Sequence, residues 1–459
     1  MDKMTHFKAV LKDDFFTRLG ELGSYFGPEQ IRAVAGARYH GRERLWPPLR
    51  TLWTFLIQVL HPNWPCRAAV AQVLAHHAAG GHRLNASPDP SAYCQGRQRL
   101  PWSVFKHALR TAGETLQAQV DATCRWLDRR VWIVDGSSCS MPDTPELQRA
   151  FGQPDKQKEG CGFPMAKIVA MFAWASGAVL DVAIGPYRSS ELSLWRQLWN
   201  QLKAGDVVLG DRFYGAYADM AQLVARGCDG VFRLRGARAR TMDFHGGQQL
   251  GKDDRLVTWQ RSTLCPRTLW PEAFALLPET LPIRVLRFHT RQPGFRSETV
   301  IVATTLLDPI AYPVTSIAAL YGDRWTAELR LGDIKTTLGM DVLRGKSANV
   351  VRKEILMHFL AYNLIRALMW QAAAKHDRLL HRLSFAGTMQ RLDVVEPYLA
   401  LFAGTPNAAT LYQLLLSWIA RDPVPHRPHR LEPRVLKRRP KPYNLMNHPR
   451  NEMREALLE

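Results

Sequence analysis

A run of short, strongly apolar segments separated by glycine and proline constrains the fold of this chain more than any other feature. From Arg130 onward, the segments VWIV, MAKIVAMFAWA and AVLDVAIG are rich in β-branched and aromatic residues. A helical segment, SSELSLWRQLWNQL, then leads into DVVLGD, and a further helical stretch precedes VFRLR. Strands that alternate with helices in this way predict an α/β fold, with a mixed sheet flanked by helices.

The segments around this core predict a division of the 459 residues into five parts. Residues 1–128 are expected to form a helical, DNA-binding domain, and residues 129–235 the first part of the core. Turn-rich, strand-like pieces at 236–309 interrupt the core as a β-rich insertion. Residues 310–375 are expected to complete the core, and residues 376–459 to form a helical segment with a basic, proline-rich tail.

Positive charge dominates the composition. Lys and Arg number 61 against 41 Asp and Glu, a formal net charge of +20, which favours a polyanionic partner such as nucleic acid. An acidic membrane surface is the alternative, but the amino terminus has no apolar signal core or lipidation pattern, so we expect a cytoplasmic protein associated with the nucleoid.

The apolar stretch from Ile355 to Ala374 contains His358, Asn363 and Arg366 and is expected to be a buried helix.

The cysteines indicate a reducing compartment. The chain has seven of them, an odd number, and no two form a CxxC pair, which argues against a disulfide framework and against a zinc site. They are Cys66, Cys94, Cys124, Cys139, Cys161, Cys228 and Cys265.

The amino-terminal region contains a candidate helical pair. The segment HPNWPCR separates two apolar runs, which could form a DNA-reading helix-turn-helix or a plain helical hairpin.

Three carboxylates are candidate catalytic and metal-binding residues. Asp135 in IVDGSS and Asp211 in VLGDRFYG are predicted to end two strands, where open α/β sheets commonly place their chemistry. Glu328 lies in the helical segment YGDRWTAELRLGDIK. Phosphoryl transfer by two divalent cations requires hard oxygen ligands of this kind from separate elements. Each of the three could instead be an ordinary turn or capping residue. Glu191 lies at the start of a predicted helix, where its negative charge is interpreted as complementing the helix dipole.

Four side chains around Glu328 share one predicted helical face. Tyr321, Arg324, Glu328 and Lys335 lie at offsets of 0, 3, 7 and 14 residues. At about 100° per residue these offsets fall within an arc of roughly 60°. A carboxylate flanked by two cations and a phenol suits a metal-bound phosphate, although a solvated helix with ion pairs would explain the charges nearly as well.

This spacing resembles the YREK signature of the IS4 family of bacterial DDE transposases. The segments around Asp135 and Asp211 resemble the two catalytic aspartates of the same family. The resemblance implies a ribonuclease-H-like catalytic core that a β-rich insertion divides, which agrees with the interruption predicted at 236–309. It covers nearly the whole chain.

The resemblance also implies an activity, a cofactor and partners. Asp135, Asp211 and Glu328 would be catalytic and bind two Mg²⁺ ions, for which Mn²⁺ can substitute, while Tyr321, Arg324 and Lys335 would bind DNA. The substrates would be double-stranded DNA, namely the terminal inverted repeats of an insertion sequence and its target. A homodimer on paired ends would cut and paste the element through a hairpin intermediate.

Relatives stack an aromatic side chain of the insertion on a base flipped out of the duplex. Here Trp259, Trp270 and Phe295 are all possible, and the sequence does not distinguish them. Two other functions remain open at this point. One is a domesticated, non-catalytic DNA-binding protein or regulator, and the other is a general nuclease of the same fold.

Overall fold

The computed structural model describes residues 33–34, 46–79, 87–121, 124–266, 268–290, 298–402, 405–425 and 445–458. These residues form two compact units. The sheet unit comprises Arg125–Trp174, Ala183–Leu329 and the described residues from Pro425 onward. The helical unit comprises the described residues up to Cys124 together with Ala175–Val182 and Arg330–Val424.

Strands and helices alternate along the chain. The strands are β1 Val131–Ser140, β2 Met165–Ala173, β3 Val179–Pro186, β4 Val207–Gly210, β5 Asp229–Arg233, β6 Gln248–Gly251, β7 Asp254–Gln260, β8 Thr280–Thr290 and β9 Glu298–Thr304. The helices are α1 Pro48–Leu60, α2 Cys66–Ala79, α3 Ser91–Arg99, α4 Trp102–Asp121, α5 Pro145–Phe151, α6 Glu191–Arg196, α7 Tyr217–Ala225, α8 Gly236–Thr241, α9 Pro271–Ala275, α10 Val314–Gly322, α11 Trp325–Gly332, α12 Ala348–Lys375, α13 Phe385–Leu401, α14 Pro406–Ala420 and α15 Arg450–Glu455. Short 3₁₀ turns lie at Trp199–Gln201 and Leu380–Arg382, and a π turn lies at Asp333–Thr337.

Within the described residues the strands form one sheet, in the order β3-β2-β1-β4-β5-β9-β8-β7-β6. β1 pairs antiparallel with β2 and parallel with β4, and β4 pairs parallel with β5. The central strand β4, VVLG, is buried throughout, as a parallel strand covered on both faces must be. This mixed sheet with flanking helices is ribonuclease-H-like, so the fold class predicted from the sequence is confirmed.

The strands between residues 248 and 304 extend the same sheet. β9 pairs antiparallel with β5, and β8, β7 and β6 follow it in antiparallel order. A fully buried ion pair joins two of these strands, since Arg284 Nη2 lies 2.6 Å from Asp254 Oδ2. Arg284 Nη1 also donates to the carbonyl of Tyr312 at 2.7 Å, so each polar end of this pair is satisfied inside the unit.

The helical unit is built around α12. This helix begins where the Ser347 side chain accepts a hydrogen bond from the Val350 amide, and most of its 28 residues are buried. Two of its polar residues pair with backbone groups: Asn363 Oδ1 accepts from the Val179 amide at 2.8 Å, and Arg366 Nη2 donates to the Ser176 carbonyl at 2.8 Å. The prediction of a buried helix at Ile355 to Ala374 is therefore confirmed. No helix in the described part of the chain is long and apolar enough to cross a membrane.

Candidate active site

Asp135 and Asp211 lie on neighbouring strands at matching positions. The parallel register pairs Ile133 of β1 with Leu209 of β4. Continued by two residues, that register sets Asp135 level with Asp211, which directly follows the last residue of β4. Adjacent strands are about 4.8 Å apart, so both aspartates lie near the same end of this strand pair, and the charge of Asp211 acts on Asp135.

The prediction that Asp135 ends its strand is wrong. Asp135 is the fifth residue of the ten-residue β1, which continues to Ser140. The strand continues because β2 runs antiparallel beside it along this length, with Asp135 opposite Ala170. Asp135 nevertheless lies beyond the last pair with β4, and its Oδ1 accepts the amide of Gly136 at 2.9 Å.

The predicted single helical face is also wrong. Tyr321 belongs to α10, which ends at Gly322, whereas Glu328 belongs to α11, which begins at Trp325. Lys335 lies in the π turn Asp333–Thr337, where the backbone departs from 100° per residue. Lys335 is also part of the helical unit, whereas Glu328 is part of the sheet unit. The four side chains therefore do not share one face of a continuous helix.

Tyr321, Arg324 and Glu328 still form a connected group. Arg324 Nη2 lies 2.7 Å from Glu328 Oε1, in an ion pair that is partly exposed to solvent. The Tyr321 side chain is buried, and its ring meets Phe288 edge-on with centroids 6.3 Å apart. Burial raises the pKa of the Tyr321 phenol to about 12, against the opposing effect of the neighbouring Arg324 charge.

The charges of two candidate acids act on the third, Asp135. Burial raises the pKa of Asp135 to about 6. The negative charges of Glu328 and Asp211 act in the same direction, while the positive charge of Arg324 opposes them. A buried carboxylate whose pKa is raised by burial and by neighbouring negative charges is typical of functional sites.

The side chains are not arranged as a finished metal site. Among the residues that the structure describes, no group of three or more His, Cys, Asp and Glu side chains has the geometry to hold a metal ion. Glu328 is instead engaged with Arg324, and Asp211 Oδ1 accepts the amide of Phe213 at 2.6 Å. The chemistry of the donor set fits a divalent cation, because carboxylates are hard oxygen ligands and the charges of two of them act on the third.

A fourth carboxylate lies beside this group, and the sequence interpretation underrated it. A Cβ atom at Gly136 would lie 2.9 Å from Glu191 Oε2 and 3.1 Å from the Tyr214 hydroxyl oxygen. The buried Tyr214 hydroxyl faces this carboxylate without a well-formed hydrogen bond. Burial raises the pKa of Tyr214, and the charges of Glu191 and Asp135 raise it further. Glu191 does begin α6, as interpreted, but it also occupies the space that Gly136 leaves open.

The three candidate aromatic residues of the insertion differ in their surroundings. Trp270 immediately precedes α9 and is 79% exposed. Trp259 lies in β7, and the guanidinium carbon of Arg238 is 4.0 Å from its ring centroid. Phe295 lies outside the described residues.

The sheet order, together with one aspartate within β1 and another directly after its neighbour β4, defines a ribonuclease-H-like protein with a candidate carboxylate site. The Transposase DDE domain family matches residues 126–364, and the chain belongs to this family as a DDE transposase of IS4 type. It is 27% identical over 445 residues to "Transposase InsG for insertion sequence element IS4" of Escherichia coli (strain K12), covering 94% of this chain and 95% of that protein. The family assignment made from the sequence is confirmed.

Two further likenesses are weaker. The chain is 25% identical over 157 residues to "Putative transposase InsZ" of the same strain, covering 32% of this chain and 52% of that protein. A piggyBac transposase synaptic complex with hairpin DNA, solved by cryo-EM, superimposes with a TM-score of 0.43 at 10% identity, covering 91% of this chain and 86% of that one.

Proposed function

We propose that Asp135, Asp211 and Glu328 are the catalytic and metal-binding residues with which this IS4-type transposase cuts and joins DNA. One observation carries the proposal. The parallel strands β1 and β4 lead toward Asp135 and Asp211 at the same end of the pair, and the charges of Asp211 and Glu328 both act on Asp135. Ordinary turn or cap residues have no reason to converge in this way from three separate elements.

Two Mg²⁺ ions, or Mn²⁺ in their place, complete the proposed site. When bound, such ions activate the attacking oxygen and stabilise the leaving oxygen of an in-line displacement. Asp135 and Asp211 hold their oxygens in place on the rigid sheet, and backbone amides orient both side chains. Glu328 would contribute from α11 through Oε2, the carboxylate oxygen that Arg324 does not engage.

Arg324 would contact DNA from the same position. Its pair with Glu328 uses only Nη2, so other N–H groups of the guanidinium could bind a backbone phosphate. Tyr321, buried beside Arg324, positions it and contributes its phenol to the DNA-binding group. Lys335 completes this proposed group, as the family signature implies.

The proposed reaction proceeds as successive displacements at one site. Water first cuts one strand at the element's end, and the freed 3′ hydroxyl attacks the opposite strand to form a hairpin. The hairpin is reopened and the same hydroxyl joins target DNA. Paired ends require two copies of the active site, so we propose a homodimer bound to the terminal inverted repeats.

Trp270 is the proposed base-stacking residue, because of Trp259 and Trp270 it is the one with the exposed ring.

Replacement of Glu328 by Gln tests the proposal. The variant should nick transposon-end DNA at least about 100-fold more slowly in Mg²⁺. Loss of a residue that only orients a metal ligand already lowers activity by up to about 100-fold, and Glu328 is proposed to be a ligand itself. Binding to the end, measured by fluorescence anisotropy, should remain close to wild type. Glu272→Gln is the matched control, since Glu272 is an exposed glutamate on α9. Normal nicking by Glu328→Gln would remove this residue from the metal site.

The same assay distinguishes the alternative functions. If the wild-type protein binds ends but never nicks them, the chain is a non-catalytic DNA-binding protein or regulator. If it cleaves DNA but never joins a 3′ end to a target, it is a nuclease of the same fold.

A further inference from the structure

Two cysteines of the helical unit share one arginine. Arg97 Nη2 lies 3.1 Å from Cys66 Sγ and 3.9 Å from Cys94 Sγ. Cys66 is the first residue of α2, and Cys94 lies in α3 with Arg97. Both thiols are free and both are partly accessible to solvent. The sequence does not predict this arrangement, because the two cysteines are 28 positions apart.

The arginine is buried and lacks a carboxylate partner. Only 9% of Arg97 is exposed, and its guanidinium packs on the rings of Phe55 and Tyr93 at 4.8 and 5.0 Å. In the described part of the chain no carboxylate forms an ion pair with it. Glu354, an acid whose charge acts on Arg97, accepts hydrogen bonds from the amides of Arg344 and Gly345 instead. A buried cation without a paired anion is strongly disfavoured, so the Cys66 sulfur is the natural counter-charge.

The surroundings favour a thiolate at Cys66 and a thiol at Cys94. A hydrogen bond from the Cys94 thiol lowers the pKa of Cys66, and the charge of Arg97 and a bond from Gln58 lower it further. The same bond raises the pKa of Cys94. Gln58 Nε2 lies 3.6 Å from Cys66 Sγ, while its Oε1 accepts the Tyr93 hydroxyl at 2.9 Å. The thiolate is therefore held by a fixed network of donors and not by a chance contact.

A small molecule can reach the sulfur. Cys66 lines a cavity of about 240 Å³ in the helical unit, together with Arg97, Pro62 and His358. A cavity of this size admits a small polar oxidant as well as water.

We propose that Cys66 and Cys94 form a peroxide-sensitive dithiol that closes to an intramolecular disulfide. The Cys66 thiolate attacks one peroxide oxygen, the O–O bond breaks, and the departing oxygen takes a proton to leave as water, or as an alcohol from an organic hydroperoxide. The resulting sulfenic acid is then attacked by the Cys94 sulfur. That step forms the S–S bond and releases the sulfenic oxygen as water with the Cys94 proton. Overall, two thiols lose two electrons and the peroxide gains them.

Oxidation of the intact protein by hydrogen peroxide tests this. The reduced full-length chain is treated with a small excess of peroxide, quenched with an alkylating reagent at intervals, digested and analysed by mass spectrometry. The Cys66–Cys94 disulfide should form first, while Cys265, an exposed cysteine without an arginine partner among its described contacts, remains alkylated. In Cys94→Ser, a sulfenic acid at Cys66 should be trapped by dimedone. In Cys66→Ser, Cys94 should stay reduced.

Arg97→Gln should slow the oxidation by at least 10-fold, whereas Arg99→Gln, an exposed neighbour on α3, should not. If Arg97→Gln does not fold, the reactivity of Cys66 in the wild-type protein tests the same point. With iodoacetamide at pH 6.5, Cys66 should react at least 10-fold faster than Cys265. Equal alkylation rates, or a first disulfide that excludes Cys66 or Cys94, would overturn the proposal.

Discussion

At the scale of single residues, Gly136 is a sharp constraint on the proposed active site. The space beside its Cα is filled by the Glu191 carboxylate and the Tyr214 hydroxyl, at 2.9 and 3.1 Å from a Cβ atom placed there. Gly136→Ala should therefore displace one of these groups next to Asp135 and lower the rate of DNA nicking at least 10-fold. The loss of stability should be about 1–3 kcal/mol, as for an overpacked core.

A control and a rescue make this prediction specific. Gly236→Ala should leave nicking unchanged, since a Cβ there meets no atom within 4 Å. Glu191→Asp in the Gly136→Ala background withdraws the carboxylate by one methylene and should recover part of the rate. Full activity of Gly136→Ala alone would show that Glu191 and Tyr214 do not help to position Asp135.

Trp270 offers a second prediction at this scale. Its exposed ring can stack on an unpaired base, and such stacking is worth about 1–3 kcal/mol. Trp270→Ala should lower hairpin formation at a transposon end, together with the fluorescence change of a 2-aminopurine base near the cut. Trp259→Ala should affect both less, because Arg238 already covers that ring. Equal effects of the two variants would contradict the choice of Trp270.

The sequence predicted single residues better than their arrangement. Asp135 and Asp211 could be found because apolar strands led directly into them, and Tyr321, Arg324 and Glu328 because of their spacing. Glu191 was underrated because its place at a helix start offered a sufficient local explanation. Its position beside Gly136 depends on the packing of α6 in the sheet unit, which local sequence does not encode.

At the scale of elements, the segment from Tyr321 to Lys335 shows where helical periodicity fails. The spacing suited one helix, but the structure divides the segment into α10, α11 and a π turn. The Leu338 amide bonds to the Asp333 carbonyl at 3.0 Å, five residues back, which shifts the face that follows. A π turn has no strong local signal, so it was not predicted. The strands of the core and the buried helix α12 were predictable from their hydrophobic pattern, whereas the short polar strand β6 has no such pattern.

Helix α12 also carries a pH-dependent prediction. Burial lowers the pKa of His358 to about 3, and the charge of Arg344 acts in the same direction. The folded state therefore keeps His358 neutral, while the unfolded state takes up a proton below pH of about 6.5. The free energy of unfolding should fall with decreasing pH from that point down to about pH 3, by about 1.4 kcal/mol per unit at most from this residue.

Urea unfolding at pH 7.5 and 5.5 measures this contribution. The difference between the two pH values should be about 1.4 kcal/mol smaller in His358→Gln than in the wild type. His381→Gln should keep the wild-type difference, since His381 is exposed. If His358→Gln keeps it as well, His358 titrates in the folded protein.

At the scale of the whole molecule, the charge of +20 is a property of function more than of fold. The three proposed catalytic acids need neutralisation by cations, and a DNA substrate needs a basic surface far wider than one site. We propose that Arg324 serves both needs locally, since it pairs with Glu328 and would also contact a phosphate. The remaining excess is spread along the chain, and the proline-rich tail beyond Pro425 contains a dense part of it.

This tail should supply affinity for DNA that depends on salt and not on sequence. Residues 426–444 lie outside the described residues, and their basic members are Arg427, Arg430, Arg434, Lys437, Arg438, Arg439 and Lys441. When all seven become Gln, the slope of log K against log salt should fall by about 0.9 for each DNA phosphate that the tail no longer neutralises, because fewer counterions are released on binding. Affinity for non-specific duplex DNA is measured by anisotropy from low to high salt. Exchanging every Lys for Arg and every Arg for Lys within the set keeps the charge and should preserve the slope. An unchanged slope in the Gln variant would show that the tail does not bind phosphate, and that the salt dependence arises from the two folded units.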